Sequence, residues 1–463
     1  MKHYGIKKLT AAVLLFTFLY TFFSTMSSSV FTNLLAQYKS WSSLSEFLTS
    51  DAGGSLRVYD RSTPENPFAL IRYVKGKSNL TLPHVRAFRS VVWDTLENRP
   101  VSVSCFKSED GESLPSKEGS TEGYSIERFL DGVMIGGFWD KYTGKWRIHT
   151  RSTLDATSRY YRPDLTFRDM FMEYVDKVNP LLWTTLDKNC SYTWVLQHSA
   201  NRVVVPVTQV NATIVQKTLI DSSGNVTFDN ANDLKINIPM PTWQSVEACL
   251  SDWNNRYKYQ VQGIVVKNAE GKRWKIRTSE YNRVRHIRSN TARRDYLWLT
   301  LWRSNGLKQY LALFPEERTL CDGVISRWKR ITNDVFHIYT DVFKARSLDK
   351  KMILPKYRPF VYGLHSQYME TLKPAGKSVS WKSALDYMNG RDVAQMLFAI
   401  NWEARMAMKQ MGAPSVPLEP PVSVGSEVQA TEPEVIFQRS VTDEDTDMPD
   451  LVPVSATVDS VVL

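Results

Sequence analysis

Cysteine is scarce in this chain, with four among 463 residues, at positions 105, 190, 249 and 321. No Cys-x-x-Cys pair or Cys/His ligand spacing occurs, which argues against a zinc site, so no metal site is expected. Nothing in the spacing of the four requires a disulfide, and buried free thiols are the expectation. Charge is missing between Lys8 and Lys39, and Lys2, Lys7 and Lys8 precede an apolar run from Leu9 to Phe23. That run is short against the roughly 20 residues of a comfortable membrane span. Residues 1–38 therefore read as a signal anchor or as a signal peptide cleaved near Ser27. The third option is a leader that is never made because translation starts at Met26. The first two place the protein at a membrane or in the secretory pathway, the third in the cytoplasm. Aromatic residues are nearly absent after Gly412, where ten acidic residues face one arginine. Residues 412–463 read as a disordered acidic tail with unknown protein partners. The formal charge of the whole chain is +10, so the remainder carries +19. A body that basic suggests a polyanion partner, either nucleic acid or an anionic membrane surface.

Ordinary globular patterning fills the rest. Trp41 to Leu48 has helical spacing behind a serine cap. Between Ser55 and Val103 the alternation is strand-like, with Pro and Gly clusters between runs. Ser108 to Glu122 is a polar loop, Thr166 to Val178 a helix, and strands return at 192–197, 202–207, 212–220, 259–268 and 273–278. After Asn290 the period becomes helical and stays so to Gln410. The expected domains are 39–290, rich in strands, and 291–411, all helical.

Six segments carry a resemblance. Tyr124 to Ser152 runs strand, turn, strand, with Asp131-Gly132 opening the second element and Thr150-Arg151 ending the third. Arg89 to Asp94 and Phe106 to Ser108 lie upstream. Ser191 to Val205, Val261 to Lys267 and Trp274 to Arg277 lie downstream. In order and interval these resemble the nucleotide-binding motifs of the phage-type ATP-dependent RNA ligases, and of a diverged branch of them in large eukaryotic viruses. The family pattern at the first segment is Lys-x-Asp-Gly. Here Phe129 stands at the lysine position, Gln262 at a customary glutamate, and Val195 at another.

The resemblance implies an α+β fold: an antiparallel-rich, two-sheet nucleotidyltransferase core (ATP-grasp-like ligase) enclosing an ATP cleft, followed by an all-α C-terminal domain. It implies ATP and Mg²⁺ as cofactors of an active enzyme and RNA as a partner. The family lysine attacks the α-phosphorus of ATP, and AMP then passes to an RNA 5′-phosphate before a 3′-hydroxyl displaces it. An aromatic ring at 129 has no amine for this step. The implied nucleotide-binding residues are Asp131, Gly132, Arg151, Trp194, Gln262, Lys267, Lys275 and Arg277. Lys275 and Arg277 share a strand face, as period two requires.

Other residues keep two readings. Trp146 and Trp194 either stack on a base or fill the core. His198 is a structural histidine or a catalyst. Arg283, Arg285, Arg288, Arg293 and Arg294, with Lys107, form an RNA-tracking basic surface, or the arginines form an exposed linker. Lys107 either reaches in from the neighbouring loop to replace the missing nucleophile or is a simple phosphate-binding or surface lysine. The functional expectation is an RNA ligase-like nucleotidyltransferase binding ATP and RNA. Its alternative is an inactive pseudo-ligase, a membrane-tethered RNA-binding or interaction protein.

Overall fold

The computed structural model describes residues 29–410 except 116–117, 163, 222, 230–235, 237 and 269–270. The apolar leader up to residue 28 and the acidic tail lie outside the described residues. These divide into two compact units, one ending at Asn290 and the other beginning at Thr291. The whole is α+β, with antiparallel-rich sheets and a helical C-terminal region.

The first unit opens with α1 (Ser29–Gln37) and α2 (Trp41–Thr49), the latter capped by the Ser40 side chain. Strands β1 (Arg57–Asp60), β2 (Phe68–Arg72), β3 (Val91–Asp94) and β4 (Arg99–Val103) form an antiparallel sheet in sequential order, with the short α3 (Pro83–Ala87) between β2 and β3. Both faces are covered. Ile71, Val91, Trp93 and Val103 pack on the helices through Phe31, Leu34, Leu44 and Leu48, while Phe68, Leu70 and Val92 meet Phe138 on the other side. Phe31 is wholly buried, its ring 5.5 Å edge-on from Phe88 and 6.4 Å from Trp93. Burying such a side chain is worth about 2–3 kcal/mol. Residues 29–37 thus belong to the folded core, which corrects the expectation of a leader reaching residue 38. No helix among the described residues is long and apolar enough to cross a membrane.

The remaining strands are β5 (Glu109–Asp110), β6 (Tyr124–Phe129), β7 (Val133–Asp140), β8 (Lys145–His149), β9 (Cys190–Gln197), β10 (Asn211–Ile220), β11 (Val226–Asp229), β12 (Gly263–Asn268) and β13 (Arg273–Arg277). They build a five-stranded sheet ordered β11-β10-β9-β7-β8 and a four-stranded one ordered β5-β13-β12-β6. The unit therefore has three sheets among its described residues, against the two expected. The additional one is the N-terminal sheet, which carries its own apolar core. Helices α4 (Phe167–Lys177) and α5 (Leu182–Thr185) precede β9. Helix α6 (Trp243–Arg256) buries Trp243, Val246 and Trp253 against Ile264, Val266 and Trp274 of the third sheet. Helix α7 (Ser279–Arg288) closes the unit.

Residues 202–207, expected as a strand, form a loop. The N–H groups of Val204 and Val205 donate to the Asp131 carboxylate at 2.9 and 2.7 Å, so they are unavailable to a ladder. All four cysteines are free thiols.

The second unit comprises α8 (Arg294–Arg303), α9 (Leu307–Leu313), α10 (Arg318–Tyr339), α11 (Arg358–Gln367), α12 (Trp381–Asn389), α13 (Val393–Ile400) and α14 (Trp402–Gln410). The long α10 buries Val324, Ile325, Trp328, Ile331 and Val335, an apolar stripe at helical period.

Candidate nucleotide-binding site

The third sheet shows how a linear pattern becomes a site. Register pairs Phe129 with Gly263 and Gly263 with Arg277, then Glu127 with Val265 and Val265 with Lys275, then Ser125 with Lys267 and Lys267 with Arg273. Side chains alternate along strands, so these rows share one face. The opposite face carries Ile126, Ile264, Val266 and Trp274 onto α6. Ile126, Ile264, Val266 and Trp274 thus turn to one side, and four cations, one carboxylate, one ring, Ser125 and Val265 to the other.

That polar face borders a cavity of about 130 Å³ to which all three sheets contribute. Its cations are Arg72, Arg89, Arg128, Arg151, Lys267, Arg273 and Lys275, and its acids only Glu127 and Asp131. Phe129, Tyr161, Phe167, Val195 and Val215 add apolar surface. The Phe129 ring has Lys275 Nζ 5.3 Å and Arg277 Cζ 5.2 Å from its centroid.

Neither acid is free to neutralise the cations. Lys267 Nζ pairs with Glu127 Oε2 at 2.8 Å and donates to the Val215 carbonyl at 3.0 Å, and both side chains are buried. Asp131 accepts from the two loop N–H groups on one oxygen and from Tyr281 Oη at 2.8 Å on the other. Burial raises the Asp131 pKa above the ordinary carboxylate value, opposed by these donors and by the nearby Arg285 charge. The same burial, with the Asp131 carboxylate alongside, drives the Tyr281 hydroxyl well above its usual pKa. Asp131 is therefore the knot tying the 202–207 loop and α7 to the connection between β6 and β7.

Several buried polar atoms lack a partner: Nε and Nη1 of Arg273, Oε1 of Gln262, Oε1 of Glu127 and Oγ of Ser104. All four residues line the cavity. Unpaired buried donors and acceptors cost about 1–3 kcal/mol each, which a ligand offering complementary atoms would recover.

Gly132 and Gly136 admit close neighbours. A Cβ on Gly132 would lie 2.4 Å from the Leu196 carbonyl oxygen, and one on Gly136 would lie 2.1 Å from His149 Nε2. His149 is buried against the cavity wall, with Ser102 Oγ 2.9 Å from Nε2 and the Thr150 carbonyl 3.0 Å from Nδ1. Desolvation pushes its pKa down to about 4, so the ring is neutral near pH 7. Nδ1 then donates to the carbonyl, and Nε2 accepts from the serine.

The structure brings together Asp131, Gly132, Arg151, Gln262, Lys267 and Lys275 as cavity lining, with Arg277 beside Phe129. Arg151 Nη2 donates to the Tyr73 carbonyl at 2.9 Å, and its guanidinium lies over the Tyr73 ring. Trp194 is not in the cavity. It is fully buried on the other face of its strand, 5.3 Å from Phe171 and 5.6 Å from Tyr192, while its neighbours Thr193 and Val195 line the cavity. Lys107 is half-buried outside the lining and donates to the Ser108 carbonyl at 3.1 Å. The arginine run is not one exposed surface. Arg288 is buried and donates to the Arg202 carbonyl, and Arg294 is buried 3.7 Å from Glu317. Arg283 and Arg293 are exposed but pair with Glu280 and Asp295, and Arg285 is half-buried. His198 caps a 3₁₀ turn through Nδ1 and meets Glu173 at 3.1 Å, a structural role.

Sequence reasoning passed over Arg72, Arg89, Glu127, His149 and Arg273. Glu127 and Arg273 were findable, since each sits two residues from a chosen position on the same strand face. Arg72 and Arg89 reach the cavity only through tertiary packing.

No protein-family model matches the chain. No curated protein matches it either. Among solved structures, an archaeal ATP-dependent RNA ligase (form 1) is similar over 78% of this chain and 95% of that one, at 13% identity and a TM-score of 0.35. That likeness is too slight to fix a fold or an activity.

Proposed function

We propose that the first unit is an RNA ligase-like nucleotidyltransferase domain that binds ATP in its cavity but forms no covalent nucleotide at position 129. The observation that carries this reading is the surplus of cations around the Phe129 ring, with both nearby carboxylates already engaged. Such a surplus calls for a polyanion, and the apolar wall of Val195, Val215 and Tyr161 suits a flat base. Arg273 and Lys275 are the phosphate-facing groups in this reading, and the unpartnered oxygens of Gln262 and Glu127 accept from amino or hydroxyl groups. The ordered motifs of the sequence supply the comparison with RNA ligases, and RNA is the second substrate they imply.

ATP fits these residues, whereas Mg²⁺ does not fit them alone. Glu127 keeps one unpaired oxygen, but its other oxygen holds Lys267, and Asp131 is saturated. Among the described residues no three metal-type side chains cluster. A hard dication prefers several anionic oxygens, and these donors lie among cations.

Calorimetry with ATP on the full chain tests the binding, and transfer of label from α-labelled ATP tests the chemistry. Expected are saturable, salt-sensitive binding and no labelled protein. Absence of binding overturns the nucleotide reading, and a labelled wild-type chain overturns the absence of a covalent step.

A further inference from the structure

The polar groups of the cavity divide unevenly between those that could serve a metal ion and those that oppose one. Seven cationic residues line it and only two acidic ones. Asp131 is buried with both oxygens occupied, by the Val204 and Val205 N–H groups on one and the Tyr281 hydroxyl on the other. Glu127 is 2% exposed, and its charge is matched by Lys267 at 2.8 Å. Gln262 is buried and offers one unpartnered oxygen that carries no charge. Mg²⁺ demands near-octahedral oxygen ligands and sheds its waters reluctantly. In this chamber it would share space with Arg273 and Lys275, whose like charges repel it.

Arg273 supplies the second half of the argument. Its side chain is 95% buried, and its Nε and Nη1 have no partner. It lies two residues from Lys275 on the same strand face. A guanidinium N–H cannot ligate a metal ion and cannot accept from metal-bound water. Only ligand oxygens satisfy these two donors, and anionic ones satisfy them best. A phosphate oxygen that already coordinates Mg²⁺ has a lone pair fewer and less charge to offer. Metal ion and guanidinium therefore compete for the same oxygens.

Resting on the nucleotide reading of this cavity, we propose that it takes ATP as the free anion, with Arg273 and Lys275 in the place of a divalent ion, so that Mg²⁺ opposes binding. The two negative charges that the dication would cancel stay available to the lining cations. The form of ligand selected is thus a nucleoside polyphosphate stripped of its metal.

The test is calorimetry on the full chain with ATP, once in EDTA and once with Mg²⁺ in large excess over ATP, at matched ionic strength. Free ATP is expected to bind at least about tenfold more tightly, the worth of one charge-assisted hydrogen bond. Arg273→Leu is expected to narrow that ratio, because it removes the group that competes with the ion. Gln262→Glu, which sets a new carboxylate among the cations, is expected to narrow or reverse it. Should either variant fail to fold, the wild-type comparison carries the test by itself. Equal or tighter binding with Mg²⁺ overturns the proposal and leaves the nucleotide reading standing. No binding of ATP in either buffer overturns both. A preference for free ATP that a folded Arg273→Leu variant keeps in full also overturns it, since Arg273 would then not compete with the ion.

Discussion

Replacing Phe129 with lysine should create a covalent nucleotide acceptor where none exists. The ring centroid lies 5.3 Å from Lys275 Nζ and 5.2 Å from Arg277 Cζ. Two like charges at that spacing repel by about 3 kcal/mol at an effective dielectric near 20. Since 1.36 kcal/mol corresponds to one pKa unit, each neighbour lowers a new amine by about two units. The Phe129→Lys amine should fall from about 10.4 to about 7, after allowance for relaxation and for Glu127 on the same strand face. An amine at its ordinary pKa is deprotonated in only about one molecule per thousand near pH 7.5, and the shifted one would be mostly deprotonated. Attack on the α-phosphorus would form a P–N bond and release pyrophosphate, the amine proton passing to solvent or Glu127. Intact-mass spectrometry after incubation with ATP, repeated from about pH 6 to pH 9, should show an added nucleotide in the variant alone. Its rate should rise with a midpoint near the depressed amine pKa. A folded Phe129→Lys variant that binds ATP and never acquires label would refute the assignment of position 129 to the acceptor site.

Other outcomes follow from the same geometry. Arg273→Leu removes two unpartnered buried nitrogens, so thermal stability should hold or rise while ATP affinity falls at least about tenfold, a split that calorimetry and a melting curve can read together. Asp131→Ala strands two backbone N–H groups and the Tyr281 hydroxyl, and urea denaturation should report a loss of about 3 kcal/mol or more. His149 has a folded pKa near 4, below its unfolded value, so its contribution to stability is present above about pH 6.5 and fades as the pH falls toward 4. The loss should reach about 2 kcal/mol by pH 5, and an unchanged pH profile in His149→Gln would count against it. Phe31→Ala should cost about 3–5 kcal/mol in denaturant, whereas no change would return residues 29–37 to a dispensable leader.

Strand β13 was legible from the sequence, because Arg273, Trp274, Lys275, Ile276 and Arg277 alternate polar with apolar, whereas Ile264, Val265 and Val266 of β12 run together. The same rule, applied one residue further, would have excluded Trp194 from the cavity once Thr193 and Val195 were placed in it. Helix α6 was missed although Trp243, Val246 and Trp253 follow helical spacing behind Thr242, so that signal was present and unused. Residues 202–207 misled because Val-Val-Val has strong strand propensity, and only the distant Asp131 diverts their N–H groups. The burial of Arg288 and Arg294 was hidden for a related reason. A run of arginines looks solvated until tertiary contacts supply a carbonyl for one and Glu317 for the other.

The ring between Lys275 and Arg277 has one more consequence. A carboxylate there would steady both side chains by cancelling their charge, leaving the chamber electrically quiet. A benzene face attracts a cation through its quadrupole and carries no net charge of its own. Phe129 can therefore face two positive groups without subtracting from their charge.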